Sequence, residues 1–300
     1  MKTYIGIDLG GTNVRVANIT RDGKILHEVK SPSYGQDGPE IVVANIIELI
    51  KQVPDLESVA GIGIGVPGPV DTATGTMVLS TNLKGFKNYP LVARINEEID
   101  IPCFLDNDAN VAGLAEALVG AGEGKGVVYY MTHSTGIGGA LVVNGKVVSG
   151  KHGHAGEIGN IIIARDRIGQ PNNLNAGACE SEASGLAITR KAKEQIAPNI
   201  NEAYEVFKLA KEGNEVAIKI IEDMSYDFAQ MMASIAHVVD PDCFIIGGGV
   251  SKSRDEYFHL LRKNYDSMVH VEMRKTEIIP AELDEPGIIG AAMLPISNGL

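Results

Sequence analysis

The amino-acid sequence predicts an α/β protein made of two related halves. Its 300 residues are 44% hydrophobic and 21% charged, which is enough apolar side chain to bury a core and excludes a disordered chain. A buried strand, a glycine turn and a hairpin occur at the N-terminus and again about 120 residues later. Helical spacing of apolar residues alternates with these strands. Two copies indicate two similar units facing one another across a cleft and are too few for a solenoid.

The first half begins with β structure and then alternates helices with strands. Residues 4–8 read as a buried strand that runs into a glycine turn, followed by a hairpin turned at Asp22-Gly23. From Pro39 onward, apolar residues recur at spacings of four and three, which predicts a helix. The remaining predicted elements are a strand and turn over 59–68, a helix near 91–99, a strand over 101–105 and a helix over 108–119.

The second half repeats the opening and is then mostly helical. After a glycine-rich linker at 120–126, a buried strand leads into a glycine turn and a hairpin turned at Asn144-Gly145. Apolar residues over 217–238 lie on one face of a long predicted helix, for which Asn214 is the N-cap candidate. The last predicted elements are a strand over 243–250, a helix with a capping box at 253–256 and a helix near 287–294 that packs on the first half.

Charge and cysteine usage narrow the class of protein. The 38 acidic residues outnumber the 26 basic ones, and the formal net charge of −12 repels nucleic acids and acidic membranes. A few local donors can nevertheless hold a small anion such as a nucleotide. No apolar stretch is long enough for a membrane span or a signal sequence. The three cysteines are far apart and odd in number, so we expect a cytoplasmic protein without a disulfide framework.

Three glycine turns follow predicted strands and are suited to a nucleotide. In DLGGT (8–12), the glycine N–H groups can approach a phosphate, the threonine can donate to it, and Asp8 can hold Mg²⁺ directly or through water. STGIGG (134–139) offers the same groups, and IIGGGV (245–250) can lie flat against an adenosine. A tight hairpin or βα turn explains each pattern alone. The joint occurrence of the first two favours phosphate binding.

Two other nucleotide motifs do not fit this sequence. The string closest to a Walker A loop, GAGEGKG (120–126), has the wrong spacing and lacks the serine or threonine after its lysine. Residues 63–68 match GxGxxG, but Pro69 and a turn-rich segment follow where a dinucleotide-binding helix would begin. We therefore expect no dinucleotide site there.

LDNDAN (105–110) places two carboxylates and an amide where a strand gives way to a helix. Helix capping needs only one of the three side chains. A carboxylate at this junction is well placed to accept a proton from a hydroxyl nucleophile, as phosphoryl transfer to an alcohol requires. Further groups of the kind that bind sugar hydroxyls occur at Asn82, Glu157 and Glu180.

Over essentially the whole chain, these motifs in this order resemble the ROK family of sugar kinases and sugar-responsive repressors. The fold that the resemblance implies is the two-lobed actin/hexokinase-like ATPase fold, usually as a homodimer. We expect a small lobe of residues 1–119 and 288–300 and a large lobe of residues 120–287. The resemblance assigns the nucleotide to Asp8, Gly10, Gly11, Thr12, Thr135, Gly136, Gly138, Gly247, Gly248 and Gly249.

The same resemblance implies an ATP- and Mg²⁺-dependent, glucokinase-like hexose kinase. It makes Asp108 the catalytic base for the sugar 6-hydroxyl. The hexose ligands that it implies are Gly68, Asn82, Asn107, Asp108, Glu157, Asn160 and Glu180. Glucose is the default substrate, and N-acetylmannosamine or a β-glucoside is the alternative.

The sequence departs from the family at its structural zinc site. Most members bind zinc through the histidine of a GEIGH motif and three cysteines of a CxCGxxGC motif. The four positions hold Asn160, Pro171, Asn173 and Ala178 in this sequence. Cys179 lies one residue past the last expected cysteine, and a lone thiol cannot build a tetrahedral site. We therefore expect no structural zinc, and Asn160 takes the place of a histidine that also contacts the sugar in the family.

Two functions of other classes compete with catalysis. Sugar-sensing regulators of the family carry a helix-turn-helix before the first phosphate loop, whereas that loop begins here at residue 8. The net charge also argues against DNA binding. A non-catalytic sugar-binding protein is the other alternative, and the intact Asp8 and Asp108 argue against it. We expect a kinase.

Overall fold

The computed structural model describes residues 2–164 and 174–300, and its elements follow the predicted α/β order. The strands are β1 (Thr3–Leu9), β2 (Asn13–Ile19), β3 (Ile25–Pro32), β4 (Val59–Val66), β5 (Val70–Asp71), β6 (Thr76–Leu79), β7 (Lys87–Tyr89), β8 (Cys103–Asn107), β9 (Val127–His133), β10 (Ile137–Val143), β11 (Lys146–Val147), β12 (Cys243–Gly247) and β13 (Glu277–Pro280). The helices are α1 (Pro39–Lys51), α2 (Leu91–Asn96), α3 (Asp108–Val119), α4 (Cys179–Ala183), α5 (Gly185–Gln195), α6 (Ala203–Lys211), α7 (Glu215–Val239), α8 (Arg254–Met268) and α9 (Pro286–Ser297).

Two five-stranded sheets repeat one arrangement. The first has the order β3-β2-β1-β4-β8, and the second has the order β11-β10-β9-β12-β13. In the first, β1 pairs antiparallel with β2 and parallel with β4, so the strand before the glycine turn is central. In the second, β9 is central and pairs parallel with β12. The duplication predicted from the sequence is confirmed. A small sheet of β5, β6 and β7 completes the strands of the described residues.

The described residues separate into two compact units. The first unit contains those within 1–126, 140–156 and 282–300, and the second contains those within 127–139 and 157–281. The lobe bounds predicted from the sequence stay a prediction. No helix in the described part of the chain has the length and apolar content needed to cross a membrane.

The last helix, α9, packs on the sheet of the first unit, as predicted. A β-carbon at Gly63 of β4 would lie 1.8 Å from the carbonyl oxygen of Ala291, and one at Gly6 of β1 would lie 2.1 Å from that of Ile288. Only glycine allows a helix backbone to approach two strands this closely. Position 63 is therefore a glycine because α9 packs against it. This packing agrees with the expectation that the GxGxxG match is not a dinucleotide site.

A buried carboxylate fixes the chain just before α9. Glu116 of α3 is fully buried, and its side chain accepts hydrogen bonds from the N–H groups of Ala121, Glu282 and Leu283 at 2.9–3.1 Å for the shortest contact of each. A buried charge is tolerated where such donors satisfy it. One side chain thus holds both the end of α3 and the approach to α9 in place.

The second unit is organised around α7. Asn214 caps this helix, since its side chain accepts a hydrogen bond from the N–H of Ala217 at 3.0 Å, as predicted. Met224, Met231 and Met232 are fully buried and fill the core.

Two local predictions differ from the structure. The strand expected over 101–105 is found at Cys103–Asn107, because the pairing with β4 extends to Asn107. The capping box expected at 253–256 does not form, and the side chain of Ser253 makes no capping hydrogen bond. A 3₁₀ turn at Val250–Ser253 runs directly into α8. Ser253 therefore lacks the extended backbone of a typical N-cap.

Candidate functional site

The first glycine turn joins β1 to β2 in the first unit. The N–H of Gly10 donates to the carbonyl of Asn13 at 2.9 Å, which closes the turn tightly. A β-carbon on Gly11 would lie 3.2 Å from the β-carbon of Asn82. The structure therefore brings the predicted sugar ligand Asn82 against the predicted phosphate turn. Thr12 and Asn82 are both exposed.

Asp8 lies at the end of β1 in a charged surrounding. Burial raises the pKa of its carboxyl group, and the charge of Arg15 opposes this increase. Arg15 stands opposite Asp8 on β2 and is itself bound by Glu28 and Glu285. Gly287, in the first turn of α9, faces the Asp8 carboxylate. A half-buried carboxylate beside a phosphate turn and a helix N-terminus is a hard oxygen donor that fits Mg²⁺.

The three polar residues before α3 have three different surroundings. Asp106 is buried, accepts hydrogen bonds from the N–H of Asn107 and the side chain of Asn110, both at 2.7 Å, and its pKa is raised by burial. Asn107 caps α3 by accepting from the N–H of Ala109 at 2.9 Å. Asp108 is exposed at the first position of the helix. Of the two carboxylates, only Asp108 can reach a substrate from this junction.

Asn107 also ties the junction to the turn at Gly68. Its side-chain amide donates to the carbonyl of Gly68 at 3.1 Å. Gly68 has a φ of +96°, and a β-carbon there would lie 2.4 Å from the carbonyl oxygen of Leu79. This backbone can be formed only by glycine. The structure thus joins the predicted sugar ligands Gly68 and Asn107 next to Asp108.

The second glycine turn joins β9 to β10 in the second unit. Its backbone is held by α5, because the N–H groups of Gly185 and Leu186 donate to the carbonyls of Ser134 and Thr135 at 2.8 and 3.2 Å. Thr135 is exposed. The turn is therefore fixed to a helix start while its threonine side chain faces outward.

Glu180, a predicted sugar ligand, lies directly behind this second turn. Its carboxylate accepts a hydrogen bond from the N–H of Ile137 at 2.8 Å. A β-carbon at Gly136 would lie 2.6 Å from that carboxylate. Gly136 is therefore needed for the approach of Glu180. Glu157 is exposed at the start of the 3₁₀ turn Ile158–Asn160, and Gly138 lies within β10.

The third glycine turn packs on the end of β9. Gly248 has a φ of +93°, and a β-carbon there would lie 2.5 Å from the carbonyl oxygen of His133. The hydroxyl of Ser251 donates to the carbonyl of Gly248 at 2.8 Å and fixes the turn. Gly249 lies beside Ser134. The structure therefore brings the second and third turns together, and both line a cavity of about 340 Å³ in the second unit.

A buried histidine that the sequence did not explain supports both turns. His133 stacks on Phe228, with ring centroids 4.5 Å apart. Its Nε2 lies 2.7 Å from the carbonyl of Ala183, and its Nδ1 lies 3.1 Å from the hydroxyl of Tyr257. Because a carbonyl only accepts, Nε2 carries the proton and Nδ1 accepts from Tyr257. Burial lowers the pKa of His133 to about 4, so the ring is neutral. An isolated histidine gives no sequence signal for this role.

Asn160 occupies the position of the family's zinc-binding histidine, and its side-chain oxygen is engaged within the protein. It accepts a hydrogen bond from the N–H of Asn175 at 2.7 Å. The N–H of Ile163 donates to the carbonyl of Gly177, and the N–H of Cys179 donates to the carbonyl of Ile161, both at 2.9 Å. These bonds join the segment after Asn160 to the segment after Asn175. The two segments are thus held together by hydrogen bonds between backbone and side-chain amides.

The predicted zinc positions are only partly described. Pro171 and Asn173 lie outside the described residues, whereas Ala178 is buried at the loop base. Within residues 2–164 and 174–300, no group of three or more His, Cys, Asp or Glu side chains could hold a metal ion. Burial raises the pKa of the Cys179 thiol well above its ordinary value, which disfavours the thiolate that zinc requires.

The predicted residues divide between the two units. Those of the first unit are Asp8, Gly10, Gly11, Thr12, Gly68, Asn82, Asn107 and Asp108. Those of the second unit are Thr135, Gly136, Gly138, Glu157, Asn160, Glu180, Gly247, Gly248 and Gly249. Each unit therefore offers one phosphate-turn candidate together with groups suited to sugar hydroxyls.

Known proteins are similar to this chain over almost its whole length. A model of the ROK family matches residues 4–297. The glucokinase of Halalkalibacterium halodurans is 32% identical over 286 residues, which cover 88% of this chain and 85% of that relative. The crystal structure of the ROK hexokinase from Thermus thermophilus superposes with a TM-score of 0.88 at 29% identity, covering 99% of this chain and 100% of that chain.

A further solved structure carries ligands. The ROK family glucokinase from Streptomyces griseus, in complex with glucose and AMPPNP, superposes with a TM-score of 0.76 at 27% identity, covering 97% of this chain and 98% of that chain. The actin/hexokinase-like fold implied by the sequence is confirmed by these similarities. Because the family model spans nearly every residue and the folds agree along the full chain, this protein belongs to the ROK family.

Proposed function

We propose that this protein is a glucokinase-like sugar kinase that transfers the γ-phosphoryl group of ATP to the 6-hydroxyl of a hexose. The observation that carries the proposal is the exposed carboxylate of Asp108 at the start of α3, beside the Asn107–Gly68 contact, in a relative of glucokinases. The neighbouring Asp106 is buried, so its carboxylate has a structural role. The carboxylate of Asp108 is the one that can react.

Asp108 acts as the general base. As the 6-hydroxyl oxygen of the sugar forms its bond to the γ-phosphorus, its proton passes to the Asp108 carboxylate. The bond between the γ-phosphorus and the bridging oxygen breaks, and ADP leaves with that oxygen. The N-terminal end of α3 favours the charged carboxylate before the transfer. General-base assistance of this kind contributes about 10²–10⁴-fold in rate.

The candidate donors to the phosphates of ATP are main-chain N–H groups of the glycine turns and the hydroxyl groups of Thr12 in the first unit and of Thr135 in the second. These donors are fixed before the substrate arrives, so little reorganisation is needed as charge develops. Asp8 would hold Mg²⁺ directly or through water, and the ion would supply neutralising charge to the phosphate oxygens. The burial that raises the pKa of Asp8 is offset when a divalent cation is bound.

Each unit offers its own candidate hexose ligands, which are Gly68, Asn82 and Asn107 in the first unit and Glu157, Asn160 and Glu180 in the second. Glucose is the default substrate, because the relatives that support this function include a glucokinase and a glucose complex. N-acetylmannosamine is the second candidate, and it is compatible with Asn160. The side-chain N–H of that asparagine can donate to an acetyl carbonyl, where the family's histidine is absent.

One set of assays tests this proposal. Release of ADP is measured over glucose, mannose, N-acetylglucosamine, N-acetylmannosamine and a β-glucoside, and the phosphorylated carbon is identified by phosphorus NMR. Asp108→Asn should lower kcat by about 10²–10⁴-fold, because an amide cannot accept the proton. Asp100→Asn, at another exposed aspartate, is the matched control. Near-normal turnover of Asp108→Asn would remove this residue from the base role.

Binding of hexose without ADP release would instead favour a sugar-binding protein. Preference for N-acetylmannosamine over glucose would select the second candidate substrate. A homodimer stays a prediction of the family resemblance, and a cytoplasmic location stays a prediction of the cysteine usage and of the apolar pattern. Sedimentation of the full chain checks the oligomeric state.

A further inference from the structure

Tyr34 has a backbone conformation that is unusual for its residue type. Its φ is +53°, in the left-handed region. The other non-glycine residues of the described chain with a left-handed φ are aspartates and asparagines, whose short polar side chains tolerate it. A bulky aromatic residue there is strained, and such strain persists only where the surrounding contacts enforce it. Strained residues of this kind are concentrated at ligand-binding and active sites.

The contacts that enforce the strain join Tyr34 to the first phosphate turn. The preceding residue, Ser33, donates from its N–H to the carbonyl of Thr12 at 2.8 Å. The following residue, Gly35, is packed so closely that a β-carbon there would lie 2.9 Å from the carbonyl oxygen of Gly11. Both neighbours of Tyr34 are therefore fixed on the turn that holds a phosphate in the proposed function.

The same segment is also bonded to the backbone around Asn82, a proposed sugar ligand. The side-chain amide of Gln36 donates to the carbonyl of Asn82 at 3.2 Å, and the N–H of Lys84 donates to the carbonyl of Gly35 at 2.7 Å. All of these residues belong to the first unit. Tyr34 therefore stands in a segment that is held by the phosphate turn on one side and by a sugar ligand on the other.

The side chain of Tyr34 is open to a ligand. It is 45% exposed, and within residues 2–164 and 174–300 it makes no hydrogen bond and no ring contact. The face of an aromatic ring is negative, so it repels a phosphate and attracts the weakly positive C–H groups of a sugar ring. A neutral hexose therefore suits this ring better than the phosphoryl donor does.

We propose that Tyr34 is a substrate-binding residue whose aromatic ring packs against the pyranose ring of the acceptor hexose. This inference rests on the proposed function, in which Asn82 is a ligand of the same sugar. The folded protein retains the strained backbone because it presents the ring beside Asn82. The contact adds affinity for the hexose and takes no part in proton or phosphoryl transfer.

Titration calorimetry of the full chain with glucose and with N-acetylmannosamine, without nucleotide, tests the inference. Tyr34→Asn removes the ring and supplies a residue that tolerates the left-handed backbone. Sugar affinity should fall by about 2–10-fold, the scale of one aromatic contact. Tyr34→Phe keeps the ring and should bind sugar as the wild type does. Tyr226→Ala, at a tyrosine that is 51% exposed on α7, is the control.

Stability separates this role from a purely structural one. Tyr34→Asn relieves the backbone strain, so it should unfold at a higher urea concentration than the wild type while it binds sugar more weakly. Lower stability together with weaker binding would indicate damage to the segment and would overturn the inference. Unchanged sugar affinity in Tyr34→Asn would overturn it as well.

The kinase assay distinguishes failure of this inference from failure of the proposed function. In Tyr34→Asn the KM for the hexose should rise over the same range while kcat and the KM for ATP stay unchanged, because the contact is equally strong before and during the transfer. If the wild type phosphorylates hexose and Tyr34→Asn keeps its sugar KM, the contact is wrong and the kinase proposal stands. If the wild type binds sugar through Tyr34 without releasing ADP, the contact stands and the kinase proposal fails. A wild type that binds neither sugar would overturn both.

Discussion

Replacing Glu116 by alanine should loosen the end of α3 and the approach to α9 together. The carboxylate is fully buried and binds the N–H groups of Ala121, Glu282 and Leu283. Hydrogen bonds to a charged group contribute about 1.5–3 kcal/mol each. Glu282 is exposed, so water can replace its bond. Counting only the other two at the lower value gives a loss of about 3 kcal/mol.

Hydrogen exchange measures this loss where it occurs. A change of about 3 kcal/mol in local opening corresponds to roughly 100-fold faster exchange. We expect this acceleration in peptides covering residues 117–123 and 281–288. Glu116→Gln keeps one acceptor oxygen and should give a smaller effect. Glu123→Ala, at an exposed glutamate two residues past Ala121, should give none. Unchanged protection at both segments in Glu116→Ala would refute the reasoning, because the three bonds would then contribute nothing.

Two further predictions concern the second unit. Because burial lowers the pKa of His133 to about 4, the unfolded chain takes up a proton below pH 6.5 that the folded chain excludes. The free energy of unfolding should therefore fall by about 3 kcal/mol between pH 6.5 and pH 4, and urea titrations of His133→Gln should show a shallower pH dependence. Asn160→Ala should speed amide exchange at Asn175, since it removes the acceptor of that N–H. Asn160→Asp keeps an acceptor and should preserve protection, and equal exchange in both variants would contradict this role.

Elements with a local signal could be predicted from the sequence. Helix α3 begins at Asp108 and ends at Val119, as expected, because a polar cap and an alanine-rich run define it. Asn214 caps α7 for the same reason. The hairpins turn at Asp22-Gly23 and Asn144-Gly145, and these residue types tolerate a left-handed backbone conformation. These features depend on a few neighbouring residues, so they can be read without knowledge of the fold.

Features that depend on distant partners could not be predicted. Glu116 gives no sign of its role, because its three donors include two that follow 166 and 167 residues later. His133 is similarly explained only by Ala183 and Tyr257. Gly63 of β4 contributed to the misleading GxGxxG match, although it is explained by the approach of α9. In each case the residues that make the decisive contact are far apart in the sequence and close together in the structure.

Asn160 links a hydrogen bond within the chain to the chemistry that its side chain can offer a ligand. The N–H of Asn175 can only donate, so the oxygen of the Asn160 amide must face it. The nitrogen of that amide is then the atom left to face a substrate, and it can only donate. A zinc-bound imidazole is likewise left with one N–H group, which can only donate. In the proposed sugar site, a sugar that contacts this nitrogen must therefore present an acceptor, which a hydroxyl oxygen or an acetyl carbonyl provides.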